Sequence, residues 1–151
     1  MTGEDDLPTP ANAGELPEYR LQDQIGFVLR RAHQRHVAIF AAHIADLTPP
    51  QFAALAKLHE TGATSQNQLG SLIAMDAATV KGVIDRLRAR GLVELAPHEA
   101  DKRRLVVSLT AEGRAAVEKL IPLARQITAE TLAPLTRKEA AALMRLLGKL
   151  G

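Results

Sequence analysis

Positive charge in this chain gathers in two short stretches: Lys81, Arg86, Arg88 and Arg90 in one, and Lys102, Arg103 and Arg104 in the other. Ammonium and guanidinium groups at that density suit nucleic acid, where they bind phosphate oxygens and read base edges. The first stretch lies where Val80, Val83, Ile84 and Leu87 share one helical face. Asp76 before it is a side chain suited to cap a helix, and Gly91 after it is suited to end one. The opposite face presents Ala77, Ala78, Thr79, Lys81, Gly82 and Arg86. Lys81 and Thr79 are the candidates for base edges; the small Ala78 and Gly82 let the backbone come close, and Arg86 adds a second cation.

The second stretch sits at the tip of a charged turn, 96–104, between two short apolar runs at 92–95 and 105–109. Runs of that kind read as two strands of a ribbon with a projecting loop. A narrow minor groove focuses negative potential and draws in an inserted arginine, which makes Arg103 the probe, with Arg104 beside it. Asp101 by itself repels DNA. Its expected task is to hold the Arg103 guanidinium by a charge-assisted hydrogen bond.

These groups need a frame, and the rest of the chain reads as helices. Residues 19–47 carry apolar side chains at helical spacing with only Gly26 to weaken the pattern, and form a long first helix. Three further starts share a capping box, Thr48 with Gln51, Ser65 with Gln68 and Thr136 with Glu139, and Pro49 occupies a first helical position where its missing N–H is harmless. Helices are expected over 48–60, 65–73, 76–90, 110–129 and 136–150. The helices from Ser65 and Asp76 are separated by Ala74 and Met75 alone, the spacing of a helix-turn-helix. Residues 1–18, with Pro8, Pro10 and Pro17 among acidic side chains, read as a loose acidic arm.

Other chemistry is poorly supported. There is no cysteine, hence no disulfide and no thiolate chemistry, and neither a Gly-rich phosphate loop nor G-x-S-x-G nor H-E-x-x-H occurs. His33 and His36 are three apart, as metal ligands on a helix can be, but no carboxylate cluster accompanies them. No enzyme, metal or cofactor is expected. The net charge of +2 is small, so it is the placement of charge and not its total that speaks for nucleic acid. No leader-like or membrane-spanning stretch is read in the sequence, so a cytoplasmic location is expected.

The run 76–94, DAATVKGVIDRLRARGLVE, followed by Asp101-Lys102-Arg103-Arg104 and by Leu109-Thr110-Ala111-Glu112-Gly113, closely resembles the recognition helix and wing of the MarR family of transcription regulators. D-x-R ahead of L-T-x-x-G is the specific part of that signature. By resemblance Asp101 and Arg103 match the family's wing pair and Arg86 the arginine of its D-R-L, while Lys81 and Gly82 depart from the residues many members carry. The resemblance implies a mainly α protein with a small β-hairpin wing. It further implies a winged helix-turn-helix lobe over 48–110, with N- and C-terminal helices, 19–47 and 111–151, forming a dimerisation base. A two-fold dimer implies double-stranded DNA with inverted-repeat half-sites about 10 base pairs apart, and repression is the commoner habit. Independently, Leu120, Ile121, Leu123, Ala124 and Ile127 with Leu143, Leu146, Leu147 and Leu150 give the terminal helices more apolar surface than one lobe covers.

The first helix is similar to regulators of aromatic-acid degradation, which implies a small-molecule effector, an aromatic acid or its coenzyme A thioester. His36 and Phe40 share a face and are candidates for the effector site, His36 to hydrogen-bond the effector; Arg20, Arg31 and Arg35 are candidates to neutralise its carboxylate or phosphates. A structural histidine and solvated arginines are the competing reading. For the whole chain the competing function is a winged helix that binds proteins and does not read DNA.

Overall fold

Residues 44–47 decide where the first helix must stop. Ile44 and Leu47 are buried, and Thr48 takes an extended conformation (φ −82°, ψ 159°) to cap the next helix from Pro49 onward. A residue ahead of proline is pushed out of the helical region, so the chain turns here. The computed structural model describes residues 18–151, and the acidic arm read over 1–18 lies, but for Glu18, outside them.

Helix α1 is Ile25–His43, shorter at both ends than the 19–47 expected. At its start Leu21–Asp23 forms a 3₁₀ turn and Gln24 is extended (φ −89°, ψ 138°), so the helical pattern of the sequence is interrupted there. There follow α2 (Pro49–Thr61), β1 (Thr64–Ser65), α3 (Gln66–Leu72), α4 (Ala77–Ala89), β2 (Val93–Pro97), β3 (Leu105–Leu109), α5 (Ala111–Leu132) and α6 (Arg137–Gly148). Full capping boxes form at Thr48 and Thr136, whereas at Ser65 only the hydroxyl-to-Gln68 half is made. Helix α5 runs through Pro122 and three residues beyond the expected end at 129.

Strand β1 was not expected from the sequence. It adds to the ribbon in the order β1-β3-β2, antiparallel throughout, with Thr64 opposite Val107 and Val93 opposite Leu109. Two residues are too few to show a period, and Ser65 also caps α3.

The chain divides at residue 35 into two units. Within the first, the Gln24 amide donates to the Arg20 carbonyl at 3.0 Å and the Arg31 guanidinium lies 5.9 Å from the centre of the Phe27 ring. The second holds the core, built of Phe40, Leu55, Leu58, Leu69, Ile84, Leu87, Val107 and Val117 with their neighbours. Helix α6 buries none of its residues, and Leu143, Met144, Leu146, Leu147 and Leu150 stay exposed.

One junction fixes α4 and the ribbon against the start of α5. Helix α4 ends in a left-handed Gly91 (φ +73°), with Leu92 N–H donating to the Leu87 carbonyl at 3.0 Å and Gly91 N–H to Arg88 at 2.9 Å. The Thr110 hydroxyl donates to the Gly91 carbonyl at 2.6 Å and accepts from Gly113 N–H at 3.0 Å, while Thr110 N–H donates to the Leu92 carbonyl at 3.1 Å. A Cβ on Gly113 would stand 1.9 Å from that Leu92 oxygen, so only glycine lets α5 start against the end of α4.

Candidate nucleic-acid interface

Helices α3 and α4 meet through a tight turn. Ala74 adopts φ +55°, Met75 N–H donates to the Gly70 carbonyl at 2.8 Å, and a Cβ on Gly70 would sit 3.1 Å from the Met75 oxygen and 3.3 Å from Val80 Cγ1. Asp76 caps α4, its carboxylate accepting from Thr79 N–H at 2.7 Å. That backbone bond, then the Thr79 hydroxyl, holds the Asp76 carboxyl below its ordinary value.

Helix α4 turns Val80, Val83, Ile84 and Leu87 into the core, as its spacing predicts. Ala77, Ala78, Thr79, Lys81 and Arg86 are exposed, and Gly82 is half-buried with open space where a Cβ would point. Lys81 is exposed but engaged, its Nζ 2.9 Å from Asp85 Oδ2 one turn along. An exposed pair of this kind is weak and open to exchange for a phosphate.

The wing tip corrects one expectation. Asp101 Oδ1 accepts from the backbone N–H of Arg103 at 3.1 Å, and Oδ2 lies 3.9 Å from Arg104 Nε; the Arg103 guanidinium is not its partner. An aspartate in a tight turn bonds the N–H two residues on more readily than a long side chain it would have to order. Among the described residues the Arg103 guanidinium has no hydrogen-bond or ion-pair partner. His98 is the organiser the sequence did not disclose. Its Nδ1 accepts from Ala100 N–H at 3.1 Å and Asp101 N–H at 3.2 Å, while its backbone N–H donates to Arg104 at 2.9 Å. A polar cleft of about 390 Å³ opens between α3 and the base of the wing, lined by Ser65, Asn67, Gln68, Arg103 and Arg104 among others.

The effector candidates separate. Arg20 and Arg31 belong to the first unit; Arg35, His36 and Phe40 belong to the second. Phe40 is a core residue, 4% exposed and edge-on to Phe52 at 6.2 Å. Arg35 is exposed yet engaged, its guanidinium donating to the carbonyls of Thr131 at 2.6 Å and Glu130 at 2.8 Å. Both carbonyls belong to the last turn of α5, where Glu130 also accepts from Ala133 N–H at 3.2 Å. Thr131 donates its only hydroxyl proton to the Ile127 carbonyl, so His36 Nδ1, 2.9 Å away, is the donor to it. His43 completes the joint with Glu130 at 2.8 Å. No helix among the described residues is long and apolar enough to cross a membrane.

Residues 47–105, from the end of the first bend to the start of β3, match the model of the MarR family. The chain is 40% identical over 145 residues to the HTH-type transcriptional repressor NicR of Pseudomonas putida, covering 95% of this chain and 91% of that one. The chain belongs to the MarR family. A solved structure of a probable transcriptional regulator from Pseudomonas aeruginosa superposes with a TM-score of 0.85 at 53% identity, over 87% of this chain and 100% of the other. BpsR of Bordetella bronchiseptica, solved to explain regulation of its DNA binding by 6-hydroxynicotinic acid, gives 0.84 at 45% identity, over 87% and 96%. MarR-family membership makes the chain a transcription regulator with the winged-helix fold, and its relatives are regulators, not enzymes.

Proposed function

We propose that this MarR-family chain is a repressor that grips an inverted-repeat operator as a homodimer and releases it when a small aromatic acid, or its coenzyme A thioester, binds. Residues 48–110 form the reading lobe, and helices from 19–47 and 111–151 pair two copies. The observation that carries this reading is the pairing of an exposed α4 face, Ala78 to Arg86, with a wing whose Arg103 guanidinium is left uncommitted on an ordered tip. Thr79 and Lys81 approach base edges, Ala78 and Gly82 permit close approach, Arg86 and Arg104 serve phosphates, and Arg103 enters the minor groove. The apolar row on α6 supports pairing, since a lone chain rarely leaves such a patch to water.

NicR's description as a repressor supports the repressing role, and the acid that regulates BpsR supports the effector class. An aromatic carboxylate can compete with the Thr131 and Glu130 carbonyls for Arg35, and His36 can donate to it in place of Thr131. Loosening that α1–α5 joint is how binding would reach the DNA lobe.

A gel shift on DNA upstream of the chain's own coding sequence, across a salt series, tests the reading. Wild type shifts the DNA with affinity falling steeply as salt rises, and Arg103→Ala loses on the order of 1 to 3 kcal/mol while remaining dimeric. Unchanged affinity removes the wing from the interface, and no shift at any salt favours a protein-binding module. Thermal-shift screening of aromatic acids tests the effector, with no stabiliser in the set counting against it.

A further inference from the structure

The recognition helix is tethered at the end away from its candidate base readers. Arg90, the C-cap of α4, donates Nη1 to the backbone carbonyl of Asp46 and Nη2 to its carboxylate at 3.2 Å, across 44 residues of sequence. Asp46 stands in the bend between α1 and α2, between the buried Ile44 and Leu47, so its carbonyl is fixed by the core although its side chain is exposed. We propose that the Arg90–Asp46 contact is a positioning strut that sets the angle at which α4 meets the duplex, and ties that angle to the end of α1. This inference rests on the reading of α4 as the helix that enters the groove.

The physical case is one of leverage. Val80, Val83, Ile84 and Leu87 hold α4 by one apolar face, which opposes withdrawal of the helix more than rocking on that face. A rock of about 10° about the centre of that face, near Val83 and Ile84, swings the Arg90 end and moves the Thr79–Lys81 end by roughly 1 Å, at about 1.5 Å rise per residue. Site geometry tolerates only about 0.5 Å. A two-point contact from a planar guanidinium, one point on the Asp46 carbonyl between buried Ile44 and Leu47 and one on the Asp46 carboxylate, opposes that swing at the Arg90 end where a single point charge does not. Arg90 then acts on DNA through Thr79 and Lys81, not by touching it.

The rival role, Arg90 as a phosphate ligand with Asp46 an incidental neighbour, predicts the opposite sign at Asp46. The test uses a duplex selected by the wild-type protein from a randomised pool, a scrambled duplex of equal length, and the variants Arg90→Ala, Arg90→Lys, Asp46→Ala and the double alanine variant. A strut gives about 10-fold weaker binding of the selected duplex for Arg90→Ala, a smaller loss for Asp46→Ala because the backbone acceptor remains, and no further loss in the double variant. Arg90→Lys, which keeps one donor, recovers part of the affinity. Binding of the scrambled duplex and the salt slope do not move. A slope shallower by about one, weaker binding of both duplexes by Arg90→Ala and tighter binding by Asp46→Ala would overturn the strut in favour of a phosphate contact. Wild-type affinity in every variant overturns it too. Failure of the wild type to select any duplex strikes the groove reading itself. Both residues are exposed, so the variants are expected to fold, and their melting temperatures verify it.

Discussion

The two halves of the D-x-R…L-T-x-x-G signature do opposite things in this molecule. Leu109 to Gly113 is a lock: a hydroxyl satisfied twice, a backbone bond to Leu92, and a glycine pressed against a carbonyl that tolerates no Cβ. Asp101 to Arg104 is a display, in which backbone and carboxylate bonds shape the turn and every side chain faces solvent. Neighbouring residues of one motif can thus be fixed by internal stereochemistry in one half and left facing solvent in the other. Mutations in the lock should register in stability, and mutations in the display should register in DNA binding with stability unmoved.

The sharpest break would come at Gly113. Helix propensity alone makes Gly113→Ala stabilising by about 0.5 to 1 kcal/mol, since Gly113 lies inside α5. The 1.9 Å approach to the Leu92 oxygen reverses the sign, because α5 must retreat from the end of α4. The expected loss is on the order of 3 kcal/mol, read by urea or thermal unfolding. Unchanged or raised stability would dissolve the distinction between lock and display.

A smaller effect is expected at Asp76, which belongs with the lock although it heads α4. Asp76→Ala removes the acceptor for Thr79 N–H and lowers stability by less than Gly113→Ala, whereas Asp76→Asn keeps an oxygen in place and most of the stability. The folded-state carboxyl is depressed from the ordinary 3.8, chiefly by the Thr79 backbone bond. A depressed acid stabilises the fold fully above its unfolded value and progressively less as pH falls through the folded one. The gap between wild type and Asp76→Ala should therefore hold at neutral pH and narrow below 3.8. A gap independent of pH would show that the charge contributes nothing there.

What could be read from the sequence follows the same division. The caps at Thr48, Ser65, Asp76 and Thr136 and the core face of α4 were legible because each depends on residues three or four apart. The pairing of β1, the clasp of Arg35 on α5 and the Arg90–Asp46 contact were not, because Thr64 and Val107, Arg35 and Glu130, and Arg90 and Asp46 lie 43, 95 and 44 residues apart and no local pattern encodes them. Asp101 lies in the loop between β2 and β3, but charge pairing points to the Arg103 guanidinium while turn geometry selects the Arg103 backbone N–H. Phe40 shared the face of His36 by spacing, yet the α1–α2 bend draws it into the core beside Phe52. His98 carries no sequence signal beyond being a ring able to accept two N–H groups at the start of a tight turn.

The finest test lies in the turn between α3 and α4, where Ala74 holds φ +55° without being glycine. The left-handed region costs an L-residue about 1 kcal/mol, and glycine's greater freedom in the unfolded chain offsets most of that relief. Ala74→Gly should therefore stabilise by a few tenths of a kcal/mol at most, while Ala74→Val, β-branched at a positive φ, should destabilise measurably. Both belong to the lock if operator affinity follows stability alone. If Ala74→Gly weakens operator binding while its unfolding curve stays put, the turn's stiffness is itself part of how DNA is read, and the boundary between frame and interface moves inward from the wing to the joint between the two helices.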